Sequence, residues 1–395
     1  MPDFKSVDDF VRTISELLAY LSWSGIAWNR SILQQLWSIF LIGSFIIYSM
    51  CCVSKLTNLR NFHQTTSLIG HFIIYFTLCI TLLGFRRLRN LWPSLSALWT
   101  TTEYNMANLI KPDKLLRKRM LCVTAVSLFI TILENILRFS VGSDFINKTF
   151  LEAFQQYAIH MNTSILNANN YTIFKGMFLS VITLISSILW NLREMVLILF
   201  SIGLTSKQRR VNKIIQNFCM GDTFMGSANL RRSRRIRENY ANYMTLVRAV
   251  NNAIGPLIAM SCVGNMFFIV RSIYMGIDTR TYNFVPANER LLQTFSLVFL
   301  CVRTFIVLLT ASNLNCQSQA ALQYLKNVDT RNYNLEIRRL EFQIRKDAMG
   351  LNVMGYFTLN RTFILKAIST IITYELILAQ YENRMREQYD YHNNK

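Results

Sequence analysis

RTFILKAISTIITYELILAQYENR, residues 361–384, is the stretch on which the fold turns. From Thr362 to Tyr381 it runs for about twenty residues, the length an α-helix needs to cross a bilayer, and the only charges are Lys366 and Glu375. Thr362, Lys366, Ser369, Thr373 and Gln380 recur at steps of three or four, with Leu376 filling the one gap, so they share a helical face. Polar groups cost free energy against lipid, so this face looks toward a neighbouring helix or an aqueous path. Packing through small hydroxyl residues is the plainer of the two readings.

The rest of the chain agrees with a membrane protein. Of 395 residues 52% are hydrophobic and 16% charged, a balance that favours a polytopic all-α membrane fold over two or three soluble domains. The net charge of +20 raises nucleic acid as a partner, but the basic residues sit between apolar spans and no nucleic-acid module is present. Positive-inside topology accounts for them better. Eight cysteines form no CxxC pair, and Cys79, Cys122, Cys262 and Cys301 lie in or beside apolar spans as small hydrophobes, so no metal or cofactor is indicated. The first long apolar run starts near Leu36, too far in for a cleaved signal peptide.

Hydropathy predicts about seven spans. The first covers Leu36–Val53 and the second Ser67–Phe85, which ends on Arg86, Arg87 and Arg89 before a loop with Lys111, Lys114, Arg117, Lys118 and Arg119. That basic excess puts the loop, and the amino terminus, in the cytoplasm. Span three is Leu121–Val141, and the Lys/Arg-poor loop that follows, to Tyr171, is expected outside with sequons at Asn147, Asn162 and Asn170. A further sequon, Asn360-Arg361-Thr362, falls on the cytoplasmic side. Span four, Phe174–Leu204, is overlong and continues into Lys207, Arg209, Arg210 and Lys213, as though one helix projected into the cytoplasm. Arg193 and Glu194 near its middle read either as a buried ion pair or as part of a ligand or ion path. The run Arg231–Arg237 belongs to the next cytoplasmic loop, where it can touch anionic lipid. Span five is Ala249–Ile277 with a kink at Pro256; span six is Leu291–Leu314 with Arg303 in its middle. Ile337, Leu340, Ile344 and Ala348 mark one face of a soluble helix before the last span. The expected divisions are a cytoplasmic segment 1–34, spans one to six over 35–314, a cytoplasmic region 315–360, the final span 361–384 and an outer tail 385–395.

Thr373-Tyr374-Glu375, five positions on from which stand Gln380-Tyr381, resembles the signature closing the last helix of insect gustatory receptors, with Tyr381 for the usual Phe. Thr-Tyr-Glu is similar to the sugar-receptor branch. Leu91–Trp99 followed by Glu103 resembles the family's Trp-Pro and Trp pattern; Leu189-Trp190-Asn191, Asn265–Phe268 and Arg303-Thr304 resemble segments of its fourth, fifth and sixth helices. Glu134-Asn135 stands where the branch has Glu-His, a departure that bears on which sugar is bound. The resemblance spans residues 35–384. It implies a homo- or hetero-tetrameric, ligand-gated, nonselective cation channel in the plasma membrane of a gustatory neuron, with the odorant-receptor fold. Each subunit then lends its last helix to a central pore, constricted at Gln380 and Tyr381 with Thr373 on the same wall; residues 315–360 belong to a cytoplasmic anchor, and ligand enters an outer pocket. For a sugar, a pocket among spans two to six combines carboxylate or amide partners with aromatic platforms. Glu134, Asn135, Arg138, Trp190, Asn265, Phe267, Phe268, Gln293 and Thr294 are its expected lining, while Glu134 and Arg138, one turn apart, equally suit a salt bridge.

Other classes fit less well. A same-fold channel for a non-sugar tastant stays open. A G-protein-coupled receptor places its amino terminus outside, against the charge pattern, and the last span has no proline for an Asn-Pro-x-x-Tyr. A secondary transporter favours internal repeats, which are not evident. An enzyme needs a nucleophile and base or a metal cluster, and the four histidines, at 63, 71, 160 and 392, form no such motif.

Overall fold

The computed structural model describes residues 9–29, 31–56, 62–143, 149–163, 165–220, 227–277, 287–328, 333–347 and 350–393. The helices are α1 (Asp9–Tyr20), α2 (Ile32–Leu56), α3 (Phe62–Ala107), α4 (Leu116–Ser143), α5 (Phe150–Met161), α6 (Ile173–Cys219), α7 (Ser227–Ile277), α8 (Ala287–Lys326), α9 (Leu335–Lys346) and α10 (Arg361–Asn393). A two-residue pair, β1 (Asn352–Val353) with antiparallel β2 (Phe357–Thr358), joins α9 to α10. Seven helices, α2, α3, α4, α6, α7, α8 and α10, are long and apolar enough to cross a membrane. The chain is a multi-pass membrane protein of almost wholly helical fold.

Burial follows lipid rather than water. Phe129, Ile132 and Ile136 on α4, and Val298, Val302, Phe305 and Leu309 on α8, are exposed at helical spacing, as expected where hydrocarbon is the solvent. The hub is α6, buried on every side from Asn191 to Ser201, which packs on α8, α4 and α7. Paired helices α2–α3 and α3–α7 complete the bundle.

Several expected loops are helical. Arg86, Arg87 and Arg89 end the apolar run of the second span but not its helix, because arginine is a good helix former. Arg87 donates to Asn252 Oδ1 at 2.6 Å and Arg89 to the Ala27 carbonyl at 2.8 Å. The Trp-Pro stretch therefore lies on α3, not in a loop. There Trp92 donates to Ser15 Oγ at 3.0 Å and Trp99 stacks on Phe10 at 3.9 Å, holding α1 by its buried Phe10, Ile14 and Leu18. The approach is close enough that any side chain at Gly203 would strike Phe10 and Trp99. Likewise Arg231–Arg237 begins α7, residues 315–326 extend α8, and the expected outer loop 142–171 contains α5. Ile337, Leu340 and Ile344 of α9 are buried as expected, while Ala348 lies outside the described residues.

The turn before α10 is set by asparagines. Asn352 Oδ1 accepts from Gly355 N–H at 2.8 Å, where φ is +92°, a conformation that suits glycine. Asn251 of α7 donates to the Gly350 carbonyl at 3.0 Å and accepts from Asn352 N–H at 3.2 Å, anchoring the hairpin. Asn360 caps α10 by accepting from Phe363 N–H at 2.7 Å, worth about 1 kcal/mol, which occupies the side chain of the Asn360-Arg361-Thr362 sequon.

Candidate functional site

At the end of the bundle away from the basic extensions, α3, α4, α6, α7 and α8 enclose a cavity of about 300 Å³. The apolar wall comes from Tyr75, Trp190, Phe268 and Phe299. Trp190 meets Phe268 edge-on at 5.2 Å, and Phe267 props Phe268 from behind at 5.0 Å. The polar groups include His71, Glu134, Arg138, Asn191, Arg271 and Arg303. Such a mixture of aromatic faces and convergent donors and acceptors binds a small ligand with apolar faces and polar edges.

The structure gathers some of the expected lining and not the rest. Glu134, Arg138, Trp190 and Phe268 line the cavity, and Glu134 makes its ion pair to Arg138 one turn along α4. Asn135 instead faces α6, donating to the Thr131 carbonyl at 2.7 Å and Ser187 Oγ at 3.1 Å. Asn265 is buried below the cavity and donates to Ser261 Oγ at 3.4 Å. Gln293 and Thr294 are exposed on α8, within one turn before its cavity residues, which begin at Ser296, but do not line the cavity. His71, Arg271 and Phe299 were not among the expected lining; a histidine and an arginine inside apolar spans were the available signal.

Beneath the cavity lies the central charge pair of α6. Arg193 and Glu194 are fully buried, with Nε and Nη2 donating to Glu194 Oε1 at 3.0 and 2.8 Å. Glu194 Oε2 accepts from Ser261 of α7 at 2.6 Å, and Arg193 Nη1 reaches Thr81 Oγ1 of α3 at 3.3 Å. Arg193 also lies 4.4 Å from the Trp190 ring, so the pair supports the cavity wall. Neither side chain lines the cavity, which makes this the buried ion pair of the two readings.

The final span presents its polar stripe outward. Thr362, Lys366, Ser369, Thr373 and Gln380 are exposed, and the described part of α10 packs mainly on α7 through the buried Ile364 and Ala367. The Thr373 hydroxyl donates to its own helix at Ser369, and both Glu375 carboxylate oxygens lack a partner among the described residues. The Tyr381 side chain lies outside the described residues.

Among the sequons, Asn162 is a correction: it is fully buried, its amide nitrogen donates to the Ala158 carbonyl at 3.1 Å, and its oxygen accepts from Thr183 at 3.2 Å and Tyr48 at 3.4 Å. A glycan has no room there. Asn170 is exposed at the end of a short 3₁₀ turn, and Asn147 lies outside the described residues. No group of three metal-binding side chains occurs among the described residues.

Residues 21–389 match the family described as trehalose receptor. The Drosophila melanogaster gustatory receptor for sugar taste 64f is 27% identical over 302 residues, 74% of this chain and 62% of that protein. Gustatory receptor 64a for sugar taste is 23% identical over 365 residues, 89% of this chain and 76% of its own length. Gustatory receptor 5a for trehalose is 24% identical over 302 residues, covering 75% and 66%. The alignment thus spans under two thirds of the first relative. Among solved structures, the insect olfactory receptor OR5 from Machilis hrabei superposes with a TM-score of 0.66 over 95% of this chain and 100% of that one, at 12% identity. The likeness establishes the fold.

Proposed function

Because the chain belongs to the trehalose-receptor family of insect gustatory receptors, we propose that this chemoreceptor is a ligand-gated, nonselective cation channel opened by a sugar. The observation that carries the channel reading is the polar face of α10, which no part of the described chain covers. A face of hydroxyl and amide groups cannot rest against lipid at low cost, and four such helices around an axis line a hydrated path. Gln380 and Tyr381 then form the constriction, Thr373 stands on the same wall, and amides coordinate hydrated cations without a fixed charge. The tetramer, homomeric or mixed, is held by the extensions including residues 315–360, with the amino terminus inside and the carboxyl tail outside.

The sugar reading rests on the relatives for sugar taste and trehalose, and on the aromatic wall facing Glu134. Sugar C–H faces stack on Trp190 and Phe268 while hydroxyls donate to Glu134. A tastant carrying a carboxylate is the second reading, favoured by Arg138, Arg271 and Arg303 on the walls against the single carboxylate of Glu134. Whole-cell current from cells expressing the chain, alone and with partner subunits, against sugars, sugar acids and amino acids separates these. In the sugar reading Glu134→Gln weakens sugar-evoked current by about 1.5–3 kcal/mol of ligand binding while surface expression persists. A surface-expressed Glu134→Gln channel with an unchanged dose-response removes Glu134 from the site, and currents evoked only by acids reject the sugar.

A further inference from the structure

At the basic end of the bundle, the link between α3 and α4 folds back on the extension of α6. A cavity of about 440 Å³ lies between them, walled by Lys111, Lys114, Arg119, Arg209, Arg210 and Lys213. It shares Arg119, Ser206 and Arg209 with a second hollow of about 180 Å³, which runs between α4, α6 and α8 to Thr205, Thr310 and Asn313. We propose that this groove binds a polyphosphate ester, with the headgroup of an inositol lipid in the adjoining leaflet as its source.

Charge is the first argument. Among the described residues only one acid, Asp113, lines the larger cavity, and it is already engaged by Ser206 Oγ at 3.1 Å and Arg119 at 3.6 Å. Lys111, Lys114, Arg209 and Lys213 form no ion pair among the described residues. These four exposed cations gathered around one concavity raise the local positive potential and attract an anion, and several cations suit several phosphates. The second argument is preorganisation. Arg210 is buried and fixed by Glu103 and by the Ile110 carbonyl at 2.8 Å, yet its Nε has no partner among the described residues. Thr205 Oγ1, in the adjoining hollow, is likewise buried and unpartnered. Place is the third. The apolar run of α4 begins just after Arg119, that of α6 ends just before Lys207, and the exposed Leu115 lines the groove itself. The groove therefore opens where a bilayer's headgroups lie, as basic pockets between spans do for phosphoinositides.

The test uses the purified full chain without tastant, so its failure leaves the receptor reading untouched. Fluorescent dioctanoyl phosphatidylinositol 4,5-bisphosphate is titrated onto the detergent-solubilised protein, with inositol 1,4,5-trisphosphate as competitor. The expected result is saturable binding that weakens on the order of thirtyfold in Lys114→Gln/Lys213→Gln, two exposed positions whose loss leaves the fold intact. Arg231→Gln/Arg235→Gln, the same charge change on the exposed start of α7, should leave it within about twofold. Equal weakening by both pairs, or no saturable binding, overturns the proposal. Displacement by the trisphosphate at equal affinity upholds the polyphosphate site and assigns it a soluble occupant.

Discussion

Removing the Glu194 carboxylate tests whether the centre of the bundle is braced or functional. In Glu194→Ala, Arg193 stays fully buried and keeps only the 3.3 Å contact to Thr81 and the face of Trp190. Ser261 loses its 2.6 Å acceptor at the same time. Breaking one side of a buried pair costs about 3–5 kcal/mol, because the remaining charge cannot reach water. That is roughly two to four powers of ten in the ratio of folded to unfolded protein. Removing both charges, as in Arg193→Leu/Glu194→Leu, leaves neither half of the pair orphaned and should recover most of the loss. The assay is the thermal midpoint of the detergent-extracted protein by fluorescence-detected size exclusion, read beside surface expression. The single variant should melt lower and the double variant close to wild type. A Glu194→Ala protein as stable as wild type but silent to tastant refutes the brace and returns the pair to an ion or ligand path.

Replacing Gln380 by Ala or Glu should change ion permeability or basal current and leave ligand potency comparatively intact; unchanged permeation in both returns the α10 stripe to helix packing. Endoglycosidase treatment should shift the mass of wild type and of Ser164→Ala equally, because Asn162 is buried, and Asn170→Gln should reduce the shift if Asn170 carries sugar. Arg237 Nε donates to Glu336 at 2.5 Å, and this hydrogen bond, against the opposing cost of desolvation, holds the carboxyl below its ordinary value of 4.5. The contact between α7 and α9 is therefore fully present above that value and is lost as pH falls through the lower folded one. Hydrogen exchange of residues 335–346, corrected for intrinsic rate, should stay flat above the ordinary value of 4.5 and rise as pH falls below it, and Glu336→Gln should flatten that rise.

Sequence alone determined the seven spans, the overlong fourth, the polar stripe of the last and the family, because each is written in local properties: apolar run length, helical period and ordered short motifs. It also placed Glu134, Arg138, Trp190 and Phe268 within reach of one another, since polar groups inside apolar spans turn inward. Helix ends were less legible. Hydropathy reports where lipid stops, whereas α3 and α7 run on through arginines that favour helix as much as leucine does. The tertiary structure alone decided that Asn162 is sealed under Tyr48 and Thr183, that Asn135 turns to α6, and that Gln293 and Thr294 fall off the cavity. The reason is that lipid is as apolar as a protein core. A leucine or phenylalanine in a span carries no mark of which it will face, so the rotation of each helix, and every contact that follows from it, is set by packing against its neighbours.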